Sequence, residues 1–151
     1  MKVFLLLLLS MFSLSAGADS VQDSGMVVKP SKHSVTATLD KLEDIVKSKG
    51  FTVFARIDHA AGALKVEQTM RPTQVLLFGN PKIGTALMLS RQSAGLDLPI
   101  RVAAWEDDAG QVWIAYNAPD WLANRHGIAD RDEVIKKMTA ALAKLTSAAA
   151  N

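Results

Sequence analysis

Between Ser34 and Asp58 the apolar residues change period once, and that change constrains the fold more than any other feature of the chain. Val35, Leu39, Leu42 and Val46 recur at steps of four, three and four, which puts them on one stripe of an α-helix. Ser34 stands where an N-cap hydroxyl is needed and Gly50 where a helix can stop in the left-handed conformation, so the spacing predicts a helix over Val35–Lys49. Directly beyond it, Phe51, Val53, Ala55 and Ile57 alternate with their neighbours through Asp58. That is the period of a strand showing those four residues on one face.

The rest of the chain continues the alternation of element types. His59–Met70 reads as a short helix or helical loop stopped by Arg71-Pro72, because a residue before proline is pushed out of helical angles. Gln74–Phe78 is apolar on both faces, as an interior strand is. Gly79-Asn80-Pro81 turns into a short helix over Lys82–Gln92, and Ser93-Ala94-Gly95 reads as loop. Ile100–Glu106 and Gln111–Tyr116 form a hairpin around Asp107-Asp108-Ala109-Gly110. The segment after Tyr116 reads as loop, and Asp130 with Glu133 is spaced like a capping box for a last helix buried through Val134, Met138, Ala141, Leu142 and Leu145. The economical fold is α+β: a two-layer sandwich with a mostly antiparallel, four- to five-stranded sheet and two long helices on one face.

The chain of 151 residues is predicted to hold one such domain. Met1-Lys2, the apolar run Val3–Leu9 and the small residues Ala16-Gly17-Ala18 have the form of a secretory signal. Ser10, Ser13 and Ser15 interrupt the run before the roughly 20 apolar residues of a membrane anchor. The expected organisation is a signal peptide over 1–18, a tether over 19–33 with a candidate edge strand at Met26-Val27-Val28, the domain over 34–147, and a frayed tail over 148–151. The expected location is periplasmic or secreted, with no membrane span once the signal is removed. A chain with no cysteine excludes disulfides, thiol redox chemistry and thiolate metal sites, so stability must come from the core.

Few kinds of chemistry survive a search of the motifs. The histidines are His33, His59 and His126, without HExxH spacing or a pair four apart, so no metal site is expected. There is no Gly-x-Ser-x-Gly, and Asp58-His59 is adjacency rather than a triad. Asp107-Asp108 belongs to a turn and Asp130, Asp132 and Glu133 to a helix start, where acids serve structure. Phosphate loops are absent. A formal net charge of +2, with no alternation of basic and aromatic residues, argues against nucleic acid. No catalytic residue, cofactor or metal is therefore expected.

What remains is a set of loop residues beside strands, where scaffolds commonly place binding groups. Asn80 follows the interior strand, Tyr116 and Asn117 close the last one, and Trp121, Arg125 and His126 come after it. His59 and Arg71 bracket the connection before the interior strand. A purely structural account is also open: Asn80 and Asn117 capping turns, Trp121 packing a helix on the sheet, Arg125 in solvent.

At these positions the chain resembles a known family. Arg71-Pro72-Thr73, Phe78-Gly79-Asn80-Pro81, Leu96-Asp97-Leu98-Pro99, Tyr116-Asn117, and Trp121-Leu122 with Arg125-His126-Gly127 are similar in order and spacing to the bacterial domain of unknown function 302, from about Val35 to Leu145. The resemblance implies a small α+β domain, pairing as a homodimer, with no established activity. One branch of that family carries a cysteine before the Asn-Pro and another after the Leu-Pro. This chain has Gly79 and Ile100 there, so no thiol or metal role carries over.

The leading expectation is a non-enzymatic exported module that binds a small molecule or a periplasmic protein through strand-end loops. Asn80, Asn117 and Arg71 would supply hydrogen bonds, Trp121 and Tyr116 apolar contact, and Arg125 or His126 charge. The alternatives are a hydrolase or isomerase using His59 or His126 as general base, with Asp58 as a partner carboxylate, and a structural homodimer.

Overall fold

The computed structural model describes residues 24–151; the expected signal peptide lies outside them. Five strands, β1 (Met26–Ser31), β2 (Thr52–Asp58), β3 (Thr73–Gly79), β4 (Ile100–Glu106) and β5 (Val112–Asn117), form one sheet in the order β1-β5-β4-β3-β2, antiparallel throughout. Helices α1 (Val35–Ser48) and α5 (Asp132–Ala150) cover one face. The architecture is the expected α+β sandwich. Three shorter helices, α2 (His59–Leu64), α3 (Pro81–Ser90) and α4 (Pro119–His126), and a 3-10 turn over Gln92–Leu96 occupy the connections.

Helix α1 forms as its spacing dictates. The Ser34 hydroxyl accepts from the Ala37 amide at 3.2 Å, and Gly50, with φ +75°, ends the helix where a side chain would be strained. Its stripe of Leu39, Leu42 and Val46 is fully buried against Leu76, Phe78, Val102, Ile114 and Tyr116 of the sheet and Leu142 and Leu145 of α5. Each such side chain contributes about 1.5–3 kcal/mol by leaving water. A second cluster, Leu87, Ala94, Leu122, Ala123, Ile128, Ile135 and Met138, joins α3, the 3-10 turn, α4 and α5. Trp121 and Ile100 pack against both clusters. Buried polar groups are satisfied in the same layers: Lys29 donates to Ser147 Oγ at 2.8 Å and the Ala143 carbonyl at 3.2 Å.

Five details depart from the expectation. The alternation in β2 is broken between Val53 and Ala55, where the register shifts by one residue, and a one-residue slip exchanges faces. Val53 faces the core opposite Phe78, while Ile57 turns to the opposite face of the sheet and is 44% exposed. Arg56, instead of Ala55, then lies over α1, where it reaches Gln74 Oε1 at 2.8 Å, the Thr36 carbonyl at 3.0 Å and the Asp40 carboxylate. The tether is shorter than expected, because Met26–Ser31 is the edge strand paired along its length with β5, and the folded domain begins there. The segment after Tyr116 is helical as α4, with Pro119 in its first turn and Gly127 at φ +66° past its end. The capping box is not made: α5 starts at Asp132 with no side-chain cap, and Asp130 instead accepts from the Ser90 hydroxyl. Nor does the tail fray, since Ala149 and Ala150 are buried and the Ala150 carbonyl accepts from the Lys32 amide at 2.9 Å.

One carboxylate organises the turn of the β4–β5 hairpin. Asp107 accepts from the Trp113 indole at 2.7 Å and from the Gln111 and Ala109 amides at 2.9 Å, and chiefly the indole bond holds its pKa below the usual carboxylate range. A carboxyl that is more acidic in the folded chain stabilises it fully above the unfolded value and loses that contribution as pH falls through the folded one. Acid titration is therefore expected to release the Trp113 indole N–H below pH 3.8, followed by its NMR shift. The transition should vanish in Asp107→Asn; a transition unchanged in that variant would assign it to another group.

Candidate functional site

The antiparallel pairing brings the end of β3 and the starts of β2 and β4 to one edge: Thr52 stands opposite Gly79, and Phe78 opposite Ile100. From that edge α3 departs, its first turn fixed by Pro81 and by Asn80, whose Oδ1 accepts from the Lys82 amide at 2.9 Å. Between this edge, α3, the Gly95–Leu98 stretch and the middle of α5 lies a cavity of about 420 Å³. Of its 18 lining residues only Asn80 and Thr85 carry polar side chains. Phe78 and Ile100 line the sheet side, Ile83 and Met88 the α3 side, and Leu142 and Leu145 the α5 side. Phe51 and Phe78 meet edge to face with centroids 5.8 Å apart, and Phe54, 58% exposed, stands at the rim.

Three of the wall positions are glycine: Gly79, Gly84 and Gly95. A Cβ on Gly84 would come no closer than 3.9 Å to Leu98 and 4.0 Å to Met88, and Gly79 and Gly95 have similar ordinary clearances. A β-carbon at any of the three positions would meet only ordinary van der Waals contacts.

Beside the cavity, the 3-10 turn and α4 share a polar cluster. His126 is joined through Nε2 to Asp97 Oδ2 at 2.6 Å and through Nδ1 to Ser93 Oγ at 3.0 Å. Arg125 donates to Asp97 Oδ1 at 3.2 Å, and its guanidinium carbon lies 5.2 Å from the Trp121 ring centroid.

The expected site residues divide between the two ends of the sheet. Asn80 lies on the cavity wall, Arg125 and His126 are in the cluster beside it, and Trp121 packs into both hydrophobic clusters. Asn117 is exposed at the same end, opposite Met26. Tyr116 is a core residue, since its position in β5 faces α1 and α5 and it is buried. Arg71 and His59 belong to the other end, because β2 ends where β3 begins. Arg71 pairs with Asp108 at 2.9 Å and Glu106 at 3.8 Å, and His59 is the exposed first residue of α2. Asp58, the carboxylate expected to serve His59, accepts from the Ala61 amide and from Gln74. Asp97 and the apolar wall escaped the sequence reading as site features, and Ser93 was read there only as part of a polar loop. The three wall glycines were the available signal.

Fold and site define the class: a small α+β domain with one antiparallel sheet and an apolar cavity at its strand ends. The chain belongs to the family described as domain of unknown function DUF302, which it matches over residues 27–145. A crystal structure of an uncharacterised conserved DUF302 protein from Bacillus stearothermophilus has the same fold, with a TM-score of 0.74 at 17% identity, covering 83% of this chain and 98% of that one. Curated relatives carry the name fluoride-specific ion channel FluC. Those of Brucella suis biovar 1 (strain 1330) and Brucella abortus biovar 1 (strain 9-941) are 45% identical over 132 residues, or 87% of this chain, and 52% and 49% of those proteins are covered. The chain thus spans about half the length of these relatives. Among its described residues no helix is long and apolar enough to cross a membrane.

Proposed function

We propose that the chain is an exported binding module that takes an apolar small molecule into the cavity at the Gly79 edge of the sheet. The observation that carries the reading is the cavity itself, about 420 Å³ within a wall that is apolar but for Asn80 and Thr85, in the ~300–1,000 Å³ range of small-molecule sites. Asn80 would orient the ligand, because its Oδ1 caps α3 and its amide nitrogen remains as a donor at the wall. Export rests on the form of residues 1–18.

Gly84→Leu is the direct test. It fills the void from a position with room for a side chain, and replacing a mid-helix glycine should hold or raise stability by up to about 1 kcal/mol. The wild-type chain is expected to enhance the fluorescence of N-phenyl-1-naphthylamine saturably at one per chain, and the variant to bind it at least tenfold more weakly at an undiminished Tm. Equal binding by both proteins would place the dye elsewhere and sink the reading.

The relatives' name supports a second reading, in which this half works beside a fluoride channel. Copurification of the chain with a separately expressed channel half would support it; a channel half recovered without the chain would remove it.

A further inference from the structure

Ser93, His126 and Asp97 form a chain of hydrogen bonds that cavity binding does not use. The His126 and Asp97 side chains are 5% and 7% exposed, whereas Ser93 stands at the surface. An ionised carboxylate can only accept, so the 2.6 Å contact of Asp97 Oδ2 with Nε2 keeps the imidazole hydrogen on that nitrogen. Nδ1 then presents a lone pair, and the Ser93 hydroxyl donates to it across 3.0 Å. Arg125 holds the other carboxylate oxygen at 3.2 Å, fixing the Asp97 carboxylate from its second side. A hydroxyl, a base aimed at its proton and a buried carboxylate orienting that base are the parts of a nucleophilic triad, which is recognised by geometry and roles rather than by order in the chain. Here the serine uses Nδ1 and the carboxylate Nε2, and the proton path is equivalent.

We infer that Ser93 is the nucleophile of an esterase site, with His126 as general base and Asp97 as the residue that positions it. Ser93 Oγ bonds to the acyl carbon of a carboxylic ester while its proton passes to Nδ1; the C–O bond to the alcohol breaks, and the departing alkoxide takes that proton. Water, deprotonated by Nδ1, then attacks the acyl-serine, and Ser93 leaves with the proton as the carboxylic acid is released. Gly95 lines the cavity only two residues, at most about 7 Å of chain, from Ser93. The substrate is therefore an ester with a short apolar acyl chain seated in the cavity. The seat of that chain rests on the cavity reading; the triad does not.

The whole chain is treated with diisopropyl fluorophosphate, which a nucleophilic serine attacks at phosphorus with loss of fluoride. One adduct is expected, located on Ser93 by peptide mass, absent from Ser93→Ala, and formed about a hundredfold or more slowly in His126→Gln. An intact wild-type chain with no adduct on Ser93 overturns the triad, as does labelling at the wild-type rate in a folded His126→Gln protein. Asp97→Asn is expected to slow labelling and shift its pH profile, and an unchanged profile would make Asp97 merely structural. Separately, kcat/KM should favour p-nitrophenyl hexanoate over the acetate, and Gly84→Leu should abolish that preference. Equal values in the wild type, with Ser93 labelled, would refute the cavity seat and leave the nucleophile standing.

Discussion

Phe78→Ala is expected to lower the free energy of unfolding by about 3–5 kcal/mol, the range for truncating a buried phenylalanine. The high end is favoured here for a geometric reason. Phe78 is 1% exposed and serves both as a core residue under α1 and as a wall of the cavity. Where a truncated site can collapse, part of the loss is recovered. The void left by this ring would open into the existing space, so collapse has nothing to close against, and Phe51 would lose its edge-to-face partner. Urea unfolding reads the effect as a lower midpoint at unchanged slope. A loss under about 1 kcal/mol would show that the wall repacks and that the cavity is soft.

Gly25→Ala should cost about 2–4 kcal/mol, joining the strain of a left-handed non-glycine residue to overpacking. Gly25 has φ +78°, and a Cβ on it would stand 2.2 Å from Cγ and Cδ1 of Trp121. The indole must move, and it is the side chain that packs into both hydrophobic clusters and carries Arg125 on its face. Gly50→Ala is the control, since Gly50 has φ +75° with nothing within 4 Å of the added carbon. It should show the backbone strain alone, about 1–2 kcal/mol. Thermal melts of the two variants separate the terms, and equal losses would mean that the indole yields at no cost.

How far the sequence could be read depends on whether the deciding interaction is local. Helix α1 was legible because each of its signals, the Ser34 cap, the Leu39–Leu42–Val46 stripe and the Gly50 stop, acts on residues within a turn or two of its own position or at helical spacing. The bulge in β2 was not, since only the pairing of Val53 with Phe78 and of Ala55 with Leu77 exposes the extra residue. Helix α4 carried readable marks in Pro119 and Gly127, yet Trp121, Arg125 and His126 between them suggested a binding loop. Arg71 and His59 were grouped with Asn80 because all three flank β3, but an antiparallel strand delivers its two flanks to opposite ends of the sheet. Ser93, Asp97 and His126 become neighbours only through the docking of α4 on the 3-10 turn, and no spacing along the chain announces that.

The strand order also has a kinetic consequence. β2 to β5 follow one another across the sheet, so each can pair with a neighbour close in the chain, whereas β1 pairs with β5 alone. Between those partners run roughly 80–90 residues, a loop whose closure is slow to be rewarded. During synthesis, which proceeds from the N-terminus, β1 emerges before any other strand and waits until Val112–Asn117 exists. The first strand made is the last that can dock.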